Sequence, residues 1–214
     1  LSIHRAEIYF AMLTLSFGQL FYTVIYKWTK FTGGSDGLIG IPLPKFNLFG
    51  IVLNLSNPIR YYYFTLGILI ASFLILRRIV RSPFGQILLA IRENPIRLEF
   101  TGINPRRYKL IAFVIAGVFS GLAGALFAPF SGTIDPGIAH WSKSADPVFM
   151  SLAGGITTFV GPTIGAAVFL SLNSIISTIT QYWMLIFGSI LILIVILFPS
   201  GMTGFVRGKL RKLA

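Results

Sequence analysis

Charged residues fall along this chain in blocks, and the apolar stretches between the blocks set its plan. From Ile8 to Tyr26, nineteen residues carry no formal charge, close to the ~20 that a helix needs to cross a ~30 Å hydrocarbon core. Arg5 and Glu7 precede this run, and Lys27 and Trp28 close it as interface anchors. Tyr61 to Leu76 is a second apolar run, opening on three tyrosines and a phenylalanine and ending at Arg77 and Arg78, whose stems can snorkel. Leu110 to Phe130 is a third. Its Gly117/Gly121 and Ser120/Gly124 pairs are small-xxx-small patterns that let helix backbones approach, so a tightly packed interior helix is expected. Pro147 to Val206 then lacks Asp, Glu, Lys, Arg and His throughout. Its sixty residues would make ~90 Å of helix, enough for three passes at most.

Gly161 and Pro162 interrupt that last block after residues 147–160, which as helix would reach ~21 Å and fall short of a crossing. Gly154 and Gly155 weaken the short piece further. Two readings stand: a broken or re-entrant helix facing a cavity, or a tight helical hairpin. Thr163 to Thr180 and Trp183 to Phe198 complete the block, and Pro199-Ser200-Gly201 stops it ahead of Arg207, Lys209, Arg211 and Lys212. The pattern predicts an all-α, polytopic integral membrane protein with about six visible segments, five or four if the short pieces are re-entrant. In the first run Ser16 and Gly18 mark a packing face, and Gln19 is either tolerated there or part of a substrate path.

The polar intervals differ in kind. Lys30 to Arg60 holds glycines 33, 34, 37 and 40 and prolines 42 and 44, which favour turns and predict a structured external loop. It is not a phosphate loop, since no Lys-Ser/Thr pair follows and no strand-to-helix unit surrounds it. Ser131 to Asp146 is a short link. Arg77 to Lys109 is the long polar segment, with eight of the eighteen Lys and Arg against two acids, Glu93 and Glu99. Ser82-Pro83, Asn94-Pro95 and Asn104-Pro105 each set an N-cap residue before a proline, the best-tolerated first helical residue. They predict a helix from Pro83 to Glu93, a short one from Pro95 to about Thr101, a left-handed turn at Gly102 and a long helix from Pro105. Ile87, Leu88, Ile91, Ile96, Leu98, Phe100 and Ile103 supply apolar contacts along it, and Arg92, Glu93, Arg97 and Glu99 supply charge. A folded loop of this kind suits docking onto another protein. The plainer alternative is that its cations only orient the chain and touch anionic lipid.

If this loop is cytoplasmic, thirteen basic residues lie inside (Arg5, eight in the loop, four in the tail) and five outside (Lys27, Lys30, Lys45, Arg60 and Lys143). That satisfies the positive-inside rule and puts both visible ends in the cytoplasm.

Composition agrees: 55% hydrophobic residues, 11% charged and a mean hydropathy of +0.81 place the chain in a bilayer. The net charge of +12 borders the apolar runs, so membrane orientation explains it and nucleic acid is not an expected partner. Without cysteine, and with His4 and His140 far apart, neither disulfides nor a metal site is expected. Asp135 and Asp146 are close to His140 but no nucleophile completes a catalytic set, so an enzyme is not expected. The chain starts at Leu1 without a signal-peptide pattern, and it is expected to be a fragment lacking earlier spans.

The segment GQILLAIRENPIRLEFTGINPRRYKLIAFVIAG resembles the cytoplasmic loop and following helix of the permease subunits of bacterial branched-chain amino acid ABC importers. IYFAMLTLSFGQLFY, TGGSDGL, SLAGGITTFVGPTIGA and FPSGMTGF are also similar to the M-type permease of that system, so the likeness runs from about Ile8 to Phe205. The resemblance implies one transmembrane permease domain over residues 1–214, with residues 77–109 as its coupling loop. It implies a second, homologous permease, two cytoplasmic ATP-binding subunits that hold the ATP, a periplasmic or extracellular substrate-binding protein, and no cofactor on this chain. The membrane would be the bacterial inner membrane. It puts Arg92, Glu93, Asn94, Arg97, Glu99 and Gly102 in or beside the ATPase contact. Closure of the ATPases would move this loop, and the helix from Pro105 would carry the motion into an alternating-access pathway. The sequence departs from the family at Pro95, where an acid is common, and at Leu98, where alanine is common. Two rivals remain: an ABC permease for another solute, such as a sugar, urea or an amide, and a channel or ion-coupled transporter without ATPases.

Overall fold

The computed structural model describes residues 2–48, 51–156, 158–179, 188, 189, 201 and 204. In chain order the helices are α1 (Ser2–Lys27), α2 (Thr29–Thr32), α3 (Pro58–Arg81), α4 (Pro83–Glu93), α5 (Pro95–Glu99), α6 (Pro105–Ser131), α7 (Ala145–Gly154) and α8 (Gly161–Ile179). Short strands are β1 (Leu38–Ile39), β2 (Lys45–Leu48), β3 (Ile51–Asn54) and β4 (Thr133–Ile134). Four of the helices are long and apolar enough to cross a membrane: Tyr9–Lys27, Pro58–Arg81, Pro105–Ser131 and Gly161–Thr178. They carry exposed Leu, Ile and Phe along their length, as expected where acyl chains, rather than water, surround a helix whose backbone is satisfied internally. The chain is an all-α multi-pass membrane protein with small β-ladders in its links.

The described segments are fewer than the six expected. Helix α7 ends after ten residues, ~15 Å of helix and about half a crossing, because Gly154 and Gly155 stop it. The expected segment at Trp183–Phe198 lies outside the described residues.

The chain falls into two compact units, residues 36–135 and the remainder. In the first, α3 begins at Pro58, three residues before the apolar run, because the Asn57 side chain accepts from the Ile59 amide at 2.9 Å and Pro58 fills the first helical position. Tyr61, only 3% exposed, donates its hydroxyl to the Leu126 carbonyl at 2.7 Å and so ties the start of α3 to the far end of α6. Past α6 the Gly132 carbonyl accepts from the Gly40 and Ile41 amides at 3.0 and 2.9 Å, beside the antiparallel β1–β4 ladder that pairs Leu38 with Ile134. β2 and β3 pair antiparallel from Lys45 with Asn54 to Leu48 with Ile51. The loop read as structured is therefore built of ladders. The small residues of α6 behave otherwise than expected: a Cβ at Gly117, Gly121 or Gly124 would meet nothing within 4 Å. Among the described residues that face is open, not interior.

In the second unit, α1 ends in a turn fixed by Thr32, whose hydroxyl donates to the Ile25 and Trp28 carbonyls at 2.6 and 2.8 Å. Two 3-10 turns, Pro136–Ala139 and Trp141–Ser144, lead into α7. Tyr22 on α1 meets the His140 ring edge-on at 5.1 Å, and Lys143 pairs with Asp146 at 3.6 Å where α7 begins.

Candidate functional site

The loop between α3 and α6 is built from side-chain caps and two tight packing points. Gly85 is buried against the turn that ends α3: a Cβ there would strike the Val80 carbonyl, so α4 can fold back this closely only on glycine. The Ser82 hydroxyl donates to the Ile79 carbonyl at 2.6 Å and makes no cap bond to α4. It closes α3 instead of opening α4, a correction to the expected cap, although α4 does start at Pro83. The rings of Phe84 and Tyr108, 5.7 Å apart, hold α4 near the start of α6, and Ile91 on α4 is buried.

Asn94 is the junction. Its amide donates to the Ala90 carbonyl at 3.0 Å and ends α4, while its side-chain oxygen accepts from the Ile96 and Arg97 amides, both at 3.1 Å, and starts α5. Pro95 is the first residue of α5, a position that needs no amide hydrogen. At the other end Thr101 donates its hydroxyl to the Leu98 carbonyl at 2.7 Å, and the Gly102 amide donates to the Glu99 carbonyl at 3.0 Å. Gly102 has φ +81°, the left-handed region expected of it, with open space around it. Asn104 then caps α6 through the Arg106 amide at 3.0 Å. Helix α5 stops at Glu99, two residues before the expected Thr101.

All six of the expected loop residues thus sit on one short, fixed stretch. Arg92, Glu93, Arg97, Glu99 and Gly102 are exposed and Asn94 is half-buried. Among the described residues none of these arginines and glutamates forms an ion pair, so their charges are free for a partner. Glu99 and Gly102 also line an open cleft with Ile103, Asn104 and Arg106. Phe100, read from the sequence as one of the loop's contact residues, points the other way: it is 87% exposed.

The second set of candidates lies elsewhere. Gln19 is exposed on α1 and borders a shallow cleft with Leu15, Ser16 and Trp141. Gly154, Gly155, Gly161 and Pro162 form the break between α7 and α8, where the helices pack backbone to backbone. A Cβ on Gly154 would strike the Gly161 carbonyl, one on Gly161 the Gly155 carbonyl, and one on Gly165 the Met150 carbonyl. Gly201, from the FPSGMTGF stretch, abuts Gly155 in the same way. The two helices are closely packed, as a tight hairpin requires, and α7 is of half-crossing length, as a broken or re-entrant helix requires. Gly165 and Gly201 do not stand out in the sequence; their spacing from Gly154 carries no local signal. Among the described residues no three of His, Cys, Asp and Glu gather as metal ligands.

Four apolar helices of spanning length, a half-length helix in a glycine hairpin and a capped polar loop define a multi-pass helical membrane protein in class. Residues 2–196 match the family described as branched-chain amino acid transport system / permease component, and the chain belongs to that family. It is 28% identical over 222 residues to the high-affinity branched-chain amino acid transport system permease protein LivM of Escherichia coli (strain K12), covering 95% of this chain and 52% of that protein. LivM of Salmonella typhimurium (strain LT2) matches with the same identity and coverage. The xylose transport system permease protein XylH of E. coli is 33% identical over 123 residues, 54% of this chain and 31% of that protein. The chain spans about half the length of the LivM proteins it matches. No solved structure matches it.

Proposed function

We propose that this chain is the membrane-spanning part of an ABC importer that moves branched-chain amino acids by alternating access. It would work with a second permease, two cytoplasmic ATPases that bind the ATP, and a substrate-binding protein outside. The observation that carries this reading is the α4–α5 loop. A polar excursion between two spans is folded by the Asn94 and Asn104 caps and presents exposed Arg92, Glu93, Arg97 and Glu99, which form no ion pair among the described residues, the build of a docking surface rather than of a tether. Motion of α4 and α5 would pass into α6, which starts at Pro105 directly after the Asn104 cap and runs unbroken through the apolar span.

Branched-chain amino acids are the favoured cargo because the LivM likeness covers 95% of the chain, whereas the XylH likenesses cover 54% to 71% of it. The apolar block from Pro147 to Val206 carries no charge. Its Ser, Thr, Asn and glycine backbone suit a zwitterion with an apolar side chain, since a fixed charge at the bilayer centre costs about 2.5–3.5 kcal/mol on insertion scales. A sugar permease is the second reading, favoured by the XylH match. Uptake into vesicles holding the complete transporter and its binding protein separates them: leucine should compete and xylose should not. The reverse result moves the chain to the sugar branch.

The basic residues support a cytoplasmic loop and cytoplasmic visible ends. The chain has no native cysteine, so Ser82→Cys should be labelled by an impermeant maleimide only from the cytoplasmic side. Labelling from outside would reverse the orientation.

A further inference from the structure

We infer that Phe100 is the anchor of the docking loop, entering an apolar pocket on the ATPase while Arg97 and Glu99 meet charges at the pocket rim. This rests on the docking reading above and deepens it. Phe100 is the most exposed of the large apolar side chains described, at 87%. It lies in the polar loop outside the spanning-length windows Pro58–Arg81 and Pro105–Ser131, unlike Phe113 on α6. An aromatic ring standing in water is the largest apolar area one residue can offer to a partner.

The backbone that carries the ring is held in place. Asn94 fixes the start of α5, and the Phe100 and Thr101 amides donate to the Ile96 and Leu98 carbonyls at 3.4 and 3.0 Å. The backbone beneath Phe100 therefore needs little further ordering on binding, which favours affinity. Ile96, 48% exposed, adds apolar area on the same short helix, and exposed Arg97 and Glu99 stand within three residues of the ring. An exposed aromatic on an ordered backbone with a charged rim is the anatomy of an interface hot spot. The mixed charge selects the partner. An anionic membrane surface would attract Arg92 and Arg97 but repel Glu93 and Glu99, whereas a protein rim can answer both signs.

The test uses the complete transporter, both permeases with the ATPases, reconstituted in vesicles. Phe100→Ala should weaken ATPase binding by about 30-fold or more, the loss typical of a hot spot, while Phe100→Leu stays within about threefold because it keeps most of the apolar area. A benzophenone amino acid at position 100 should cross-link to the ATPase; adducts to lipid alone would overturn the inference. The Arg92→Ala, Glu93→Ala double variant separates the two levels of the proposal. If it uncouples transport while Phe100→Ala binds normally, the anchor falls and the docking loop stands. If neither variant changes ATPase binding or coupling, both fall.

Discussion

The α4–α5 loop and the α7–α8 hairpin both turn on glycine, and they need it for opposite reasons. Around Gly102 the space is empty and the demand is for a left-handed backbone at φ +81°. At Gly154, Gly161 and Gly165 the backbone of a neighbouring segment occupies the place where a Cβ would stand. One region is shaped by local hydrogen bonds and stays open to a partner; the other is shaped by contact and leaves no gap. A surface meant to be gripped can tolerate side chains. A hairpin packed backbone to backbone cannot.

The sharpest way to break this contrast is to add side-chain carbon to each region. Gly165→Ala forces a carbon into the Met150 carbonyl. It should cost ~3 kcal/mol, the upper part of the usual overpacking range, measured as a lowered unfolding midpoint in detergent. An unchanged midpoint would mean that the hairpin is looser than described. Gly102→Val should cost less, about 1–2 kcal/mol for a non-glycine residue held in the left-handed region, and should appear as reduced co-purification of the ATPase with normal membrane insertion. Asn94→Ala should have the smallest effect, ~1 kcal/mol for a lost cap, visible as faster hydrogen exchange at the Ile96 and Arg97 amides while α7 and α8 stay protected.

The loop is legible in the sequence because its signals are local. Asn94-Pro95 and Asn104-Pro105 each carry a side-chain acceptor and a residue without an amide hydrogen, so the helix starts can be read to the residue. The same signal at Asn57-Pro58 starts α3 three residues ahead of the apolar content that marks the second span from Tyr61. Ser82-Pro83 gives the right boundary for the wrong reason, since the hydroxyl turns back to Ile79. The hairpin is half legible. Its break follows from Gly154, Gly155, Gly161 and Pro162, but that Gly165 faces Met150 and Gly201 abuts Gly155 depends on how distant segments meet. Hydropathy cannot report the exposure of Phe100 either, because it assigns a phenylalanine the same value buried or in water. Among the described residues the Gly117 face is open, against expectation, because a small-residue pattern says that a helix can be approached and not which segment approaches it.

The Asn94 junction has one more consequence, for how this loop can change over time. Surface loops are ordinarily where insertions and deletions accumulate. Here α4 and α5 share Asn94 with no spacer, one residue closing the first helix and opening the second. A single residue added to α5 would turn the remainder of that helix by ~100° about its axis and carry Phe100 to a different side of the loop. The Asn94 junction therefore constrains the length of the loop as well as its side chains.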